Sequence, residues 1–405
     1  MRIVVATYGT EGDARPFAAL CRGLMDAGHQ ARLLADAATL GSAEALGVPT
    51  TALAGDIRGY LGKDRAVAKG GGFGDTTRAL AAIANDNAES WMHAIIEAGE
   101  GCDAVLAAGL AAFVGFSAAE HLGAKAIGAG MIPITPTAAF PSPFLPPRLT
   151  PRLLNRATHE LVNAMLWNSF RAKINAARAK FRLPPRRKVW TDLPMVYGLS
   201  PNLLPTPSDW PSDVSLCGQW LARSPAWSPP PELEAFLAAG DAPIYIGFGS
   251  MTGFDKARLL EALVEAMADR RVLFHPGWSG VDPTGLPENF LVIGDTPHDW
   301  LFLRTAAVIH HGGSGTSHSA ARAGVPSIVT PFAGDQFFWA ERLRMAGVAP
   351  AAVNGRRPRA EAFARALDFT AAEGVRSRAR ALGEVMRVED GVADGVATLE
   401  RMIAG

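Results

Sequence analysis

Three cysteines in 405 residues, Cys21, Cys102 and Cys217, each stand alone. That excludes a disulfide framework and the paired spacing of a structural zinc site, and a reducing cytoplasm is the compartment it fits. Net charge is absent too, with 39 basic side chains against 39 acidic ones. Without a global field to hold a polyanion, a general nucleic-acid binder is not expected. Long apolar runs are also lacking. The best stretch, residues 104–119, is uncharged but carries two glycines and falls short of the roughly 20 residues that span hydrocarbon. Membrane contact is expected to be peripheral at most. The opening MRIVVATYGT has one basic residue and reads as an immediate strand rather than a secretory leader. Two nucleotide signatures are missing as well, the G-x-G-x-x-G dinucleotide turn and the P-loop lysine, so spacing supports neither hydride transfer nor ATP hydrolysis.

What is present is alternation. Strand-length apolar runs at 3–6, 31–35, 104–107 and 125–128 are interleaved with helix-length segments at 16–27 and 113–121. Parallel strands with crossover helices, covered on both faces, follow from that pattern. A proline-dense segment, 131–151, interrupts it and leads into a helical region at 153–181 with apolar positions Leu154, Leu161, Met165 and Leu166. We take this as an insertion that shapes a cleft. A second proline-rich stretch, 201–231, sits where a domain linker is expected. Beyond it the alternation resumes, with strands at 243–248, 272–274, 290–293, 307–310 and 327–330 and a helix at 256–268. The reading is two doubly wound α/β domains, 1–215 and 216–405, with the last helix able to pack back on the first.

Glycine turns at strand ends carry the candidate chemistry. His310-His311-Gly312-Gly313-Ser314-Gly315-Thr316 follows a strand and precedes a helix, so its backbone N–H groups face out at a positive helix end, suited to phosphate. Next comes Pro331-Phe332-Ala333-Gly334-Asp335-Gln336. Its acid and amide suit sugar hydroxyls or a helix cap, and ligands of open α/β sheets bind at this end of the strands. The first strand ends in Gly9-Thr10-Glu11-Gly12-Asp13, which places Asp13 before a helix as a cap or as a general base at a cleft. Histidines between His298 and His318 lack metal-ligand spacing, and no metal site is expected.

Together GTEGDARPF at 9–17, PIYIGFGSM at 243–251, TPHDWLF at 296–302 and HHGGSGTSHSAARAGVPSIVTPFAGDQFFWAERL at 310–343 resemble the large inverting nucleotide-sugar glycosyltransferase family, within it the sterol 3β-glucosyltransferase branch and the bacterial natural-product enzymes. The resemblance spans both halves but is thin between residues 40 and 200. It implies two Rossmann-like domains facing each other across a cleft (the GT-B fold), with acceptor on the first and donor on the second. Neither a metal nor an organic cofactor is implied, since a UDP-sugar is the co-substrate. Asp13 would be the base. Thr10, Gly12, Ser250, Trp278, His298, His311, Ser314, Gly315, Thr316, Asp335 and Gln336 would hold the donor. Two departures from the plant branch stand out: Asp13 replaces its catalytic histidine, and Ser319 its ribose-binding glutamate.

Residues 131–147 hold bulky apolar groups and no charge, which suits one wall of a lipophilic acceptor pocket. Met131, Ile132, Phe140 and Phe144 are its candidates. The expected activity is transfer of a sugar, glucose first, from UDP to a hydroxyl of a sterol, terpenoid, polyketide or phenolic, by a monomer or dimer. A TDP-deoxysugar antibiotic glycosyltransferase, a nucleotide-sugar epimerase and a non-catalytic nucleotide-sugar-binding protein are the alternatives, and a dehydrogenase ranks below them.

Overall fold

The computed structural model describes residues 1–57, 59, 73–222, 227–249, 251 and 254–405, without the side chains of 73–80 and Trp278. Its first strand shows how apolar runs become sheet here. β1 (Arg2–Ala6) buries Ile3 through Ala6 completely, because parallel neighbours on both edges and helices on both faces leave no side to water. Those neighbours are β2 (Gln30–Asp36) and β4 (Ala104–Ala107), both parallel to it. β3 (Thr50–Leu53) lies outside β2, while β5 (Lys125–Gly130), β6 (Met195–Tyr197) and β7 (Val214–Leu216) extend the other edge. The seven-stranded order is 3-2-1-4-5-6-7.

A second parallel sheet holds β8 (Ile244–Gly247), β9 (Val272–His275), β10 (Phe290–Val292), β11 (Ala307–His310) and β12 (Ser327–Val329), in the order 10-9-8-11-12. Strand order reverses between β1 and β4 in one sheet and between β8 and β11 in the other. In open α/β sheets such switch points open a crevice at the carboxyl ends of the strands. Every glycine turn singled out in the sequence leaves such an end.

The proline-rich 201–231 stretch is only partly a linker. It contributes β7 to the first sheet and buries Leu203, Leu204 and Trp210, so the first sheet runs through Leu216. Short strands without alternation, β3, β6 and β7, are legible only through their neighbours. Joining the two sheets is a hydrophobic seam in which Phe140, Tyr197, Leu204 and Trp210 meet Phe338, Trp339, Leu343 and Met386. The last helix, Gly391–Ala404, returns to the first domain. Its Val396 and Leu399 share a core with Leu20 and Leu24, and His29 Nε2 lies 2.8 Å from Glu400.

Candidate active site

The first helix begins at Glu11, five residues earlier than the pattern suggested. Asp13 therefore lies inside its first turn rather than ahead of it, and Pro16 sits within the helix. The cause is a cap in which Asp13 Oδ2 accepts from the Thr10 N–H at 2.7 Å and from the Thr10 hydroxyl at 3.2 Å, while the Asp13 N–H donates back to the Thr10 carbonyl at 2.9 Å. Such a cap holds the first turn closed. Gly9 makes room for the carboxylate, since a Cβ there would run into Asp13 Oδ2. Asp13 Oδ1 accepts no hydrogen bond among the described residues. Burial pushes the Asp13 pKa up, against the two Thr10 hydrogen bonds that favour the anion. A fixed carboxylate with one free oxygen and raised basicity is equipped to take a proton.

The second domain's glycine turn follows β11. Ser314–Ala323 is a helix whose first N–H groups, those of Ser314, Gly315 and Thr316, make no hydrogen bond among the described residues. Unpaired amides at a positive helix end form an anion site. His311 stands beside them with its Nδ1 buried and unpartnered among the described residues. Burial lowers its pKa to about 4, so near neutrality the ring is uncharged and can offer a diphosphate an N–H rather than a positive charge. Gly249, at φ +58° after β8, lets the ring lie close: a Cβ there would meet His311 Cε1 at 3.0 Å. The imidazole thus occupies the β8/β11 switch point.

The turn after β12 presents Asp335, which accepts from Trp339 Nε1 at 2.8 Å. Burial raises its pKa to about 6, the Trp339 hydrogen bond opposes that, and the charge of Asp13 adds to the rise. The two carboxylates therefore feel one another across the cleft. Gln336 is buried and occupied differently. Its Oε1 accepts from the N–H groups of Phe332 and Ala333 at 2.7 and 3.1 Å, and its Nε2 lies 2.8 Å from Met251 Sδ. In this arrangement Gln336 shapes the loop that presents Asp335.

His298 stacks on Phe302 at 4.3 Å, and its pKa falls to about 3, through burial first and then through the charges of Arg15, His275 and His311. Arg15 belongs to the first domain's glycine-turn helix and His298 to the second domain. Sequence reasoning passed over Arg15, which pairs with Glu11 one turn back at 3.4 Å. It also passed over Gln219, whose Nε2 donates to the Gly315 carbonyl at 3.2 Å and to the Ser319 hydroxyl at 3.1 Å. Ser319 is thus held by the chain that crosses between domains. Trp300 packs on Trp227 and under Arg304. Ser250 and the Trp278 side chain lie outside the described residues.

The acceptor candidates divide. Phe144 lines a cavity of about 510 Å³ between the domains with Pro146, Phe332, Gly334, Phe337 and Val353. Phe140 is a correction: at 3% exposure it packs on Phe338, His159 and Trp210, with Arg342 over its ring, so it belongs to the interdomain seam and not to an open wall. Met131 packs against the first domain's core, and Ile132 is half-buried. Among the described residues no cluster of His, Cys, Asp and Glu could hold a metal.

Two parallel-sheet α/β domains, each with a glycine turn at the carboxyl end of a strand beside its switch point, form a framework suited to holding a nucleotide. Comparison with known proteins agrees. Residues 257–381 match the erythromycin biosynthesis protein CIII-like C-terminal domain. Over 99% of its length the chain is 34% identical to O-mycaminosyltylonolide 6-deoxyallosyltransferase from Streptomyces fradiae, covering 97% of that protein. It is 31% identical to a sterol 3-beta-glucosyltransferase from Arabidopsis thaliana, covering 64% of it. Among solved structures, the kitacinnamycin glycotransferase superposes with a TM-score of 0.72 at 18% identity, and spinosyn rhamnosyltransferase with 0.69 at 19%, each covering 98% or more of both chains. The chain belongs to this GT-B glycosyltransferase family, alongside the antibiotic and sterol glycosyltransferases.

Proposed function

We propose that the chain transfers a hexosyl group from a nucleoside-diphosphate sugar, UDP-glucose first, to a hydroxyl of a lipophilic small molecule, with inversion at the anomeric carbon. The observation that carries this is the unpaired helix-start amides of Ser314, Gly315 and Thr316 beside His311 in the second domain, with Asp13 of the first domain, one oxygen unbonded among the described residues, close enough for its charge to raise the Asp335 pKa. In the step, the acceptor oxygen attacks the anomeric carbon as Asp13 takes its proton. The bond from that carbon to the diphosphate breaks on the opposite face, and its electron pair leaves with the nucleoside diphosphate. The amides of Ser314, Gly315 and Thr316, with His311, receive the charge that builds on the leaving group. Asp335, presented by the loop that Gln336 braces, orients sugar hydroxyls, and the cavity beside Phe144 takes apolar acceptor rings.

A second reading, a TDP-deoxysugar donor, is favoured by the full-length relative, whose name is a 6-deoxyallosyltransferase. Calorimetric binding of UDP, TDP, GDP and their glucose conjugates separates the two. For the base, Asp13→Asn is expected to keep donor affinity and to lose roughly 10²- to 10⁴-fold in turnover. Unchanged turnover in a folded Asp13→Asn protein removes that role. Sugar analysis after incubation with donor alone excludes or reveals epimerisation.

A further inference from the structure

The neutral total hides a strong local imbalance. Between Arg148 and Trp190 the chain places eight arginines and three lysines against a single acid, Glu160. Arg178 is buried and bonded to Glu120. By contrast Arg152, Arg171, Lys173, Arg182, Arg187 and Lys188 are exposed and form no ion pair among the described residues.

The same segment turns leucines outward. Leu149 and Leu153, in the short turns at Pro147–Leu149 and Arg152–Leu154, are 81% and 99% exposed. The 26-residue helix Asn155–Lys180 then buries Val162, Phe170 and Ile174 on one side. At helical spacing its opposite ridge carries Leu161 and Met165, both more than half exposed, followed by Ala172 and Ala176. A solvated helix face in a globular protein is ordinarily polar. This one is an apolar ridge with unpaired Arg152 before it and unpaired Arg171 and Lys173 further along the helix, while Arg148 pairs with Glu341 and Arg156 with Glu160 and Asp209, and none of the described helices is long and apolar enough to cross a membrane.

We propose that the 148–165 turn and helix start form a docking surface for an anionic lipid bilayer, with Leu149, Leu153, Leu154, Leu161 and Met165 entering the headgroup boundary and Arg152, joined by Arg171 and Lys173 further along the helix, meeting lipid phosphates. Charge complementarity selects this occupant, because cations that alternate with protruding leucines fit a surface carrying phosphates above hydrocarbon. The surface adjoins the cavity: Arg148 bonds Glu341 of the second domain at 3.0 Å, and Phe144 and Pro146 lie just ahead of it in the chain. An acceptor dissolved in the bilayer would then enter from the membrane side, a step that rests on the transferase reading above.

The test is flotation of the purified full chain with phosphatidylcholine vesicles, with and without phosphatidylglycerol, in the absence of donor and acceptor. Binding is expected only to the anionic vesicles and is expected to weaken in high salt. Leu149→Ser with Leu153→Ser should lower the partition coefficient about tenfold while leaving nucleotide binding unchanged, which shows that the variant is folded. The proposal is overturned if the wild type ignores anionic vesicles at low salt or if the double variant binds as well as the wild type. It is equally overturned if the leucine substitutions instead abolish self-association of the wild type, which would make the ridge a contact between copies. Because no sugar transfer is measured, these outcomes are independent of whether the chain is a transferase.

Discussion

Asp335 offers a direct measure of how much stability the site gives up for its chemistry. Its carboxyl has a pKa of about 6 in the folded chain against an ordinary 3.8. A group whose pKa is raised by folding favours the folded state below its unfolded value and opposes it as pH rises through the folded value. At about 1.4 kcal/mol per unit, the ionised carboxylate at pH 8 costs at most about 3 kcal/mol. Asp335→Asn removes the charge and keeps an oxygen for Trp339 Nε1, which the wild type bonds at 2.8 Å. The variant should therefore melt higher at pH 8. For a domain of this size about 3 kcal/mol corresponds to a ceiling of roughly 6–12 °C. At pH 5 the gain should be about half as large in free energy, and it should vanish below the ordinary carboxylate range. Differential scanning calorimetry at the two pH values checks this, with calorimetric donor titration alongside, where the same variant should lose affinity. A variant no more stable than wild type at pH 8, or equally stabilised at both pH values, refutes the assignment of a penalised carboxylate.

Two further outcomes are expected. Burial holds His298, His311 and His318 at pKa values of about 3, 4 and 4, and His310 well below its ordinary value. The unfolded chain takes up these protons near pH 6.5 and the folded chain does not, so stability should fall as pH drops from 6.5 towards 4, by up to roughly 5 kcal/mol per pH unit if all four contribute, with Asp335 partly offsetting the loss. Urea midpoints measured across that range test it, and a flat profile counts against buried neutral histidines. Gly249→Ala should place a Cβ against the His311 ring in a left-handed backbone conformation, costing about 1–2 kcal/mol and weakening nucleotide diphosphate binding at least as much as His311→Ala does; calorimetric affinity equal to wild type would detach Gly249 from the site.

Element type was legible wherever apolar residues ran on. β4 and β11 coincide with their expected runs, and the Lys256–Ala266 helix differs from expectation only at its end. Legibility failed where burial is shared rather than local. β6 and β7 are three residues each and are strands because β5 is beside them. Phe140 reads as a pocket wall in an uncharged sequence, but the residue that covers it, Phe338, is almost 200 positions away. The outward ridge of the Asn155–Lys180 helix misled in the opposite direction, since Leu161 and Met165 look like core residues by spacing and face solvent instead.

The site was legible in its turns and not in its cross-links. A glycine turn between a strand and a helix can be read from one segment, because the strained or close-packed backbone sits within a few residues of the group it exposes. Arg15 against His298, Gln219 on Gly315 and the mutual influence of Asp13 and Asp335 join positions from separate domains, so no window of sequence contains them. Two of them are electrostatic: Arg15 adds to the effect of burial that holds His298 neutral, and the charge of Asp13 adds to the raised pKa of Asp335. Both disfavour the ionised form of the group they act on. A sugar that offers hydroxyls to Asp13 and Asp335 would relieve the repulsion between them, so donor should raise the melting midpoint more at pH 8, where Asp335 is ionised, than at pH 5, and equal shifts at the two pH values would count against it.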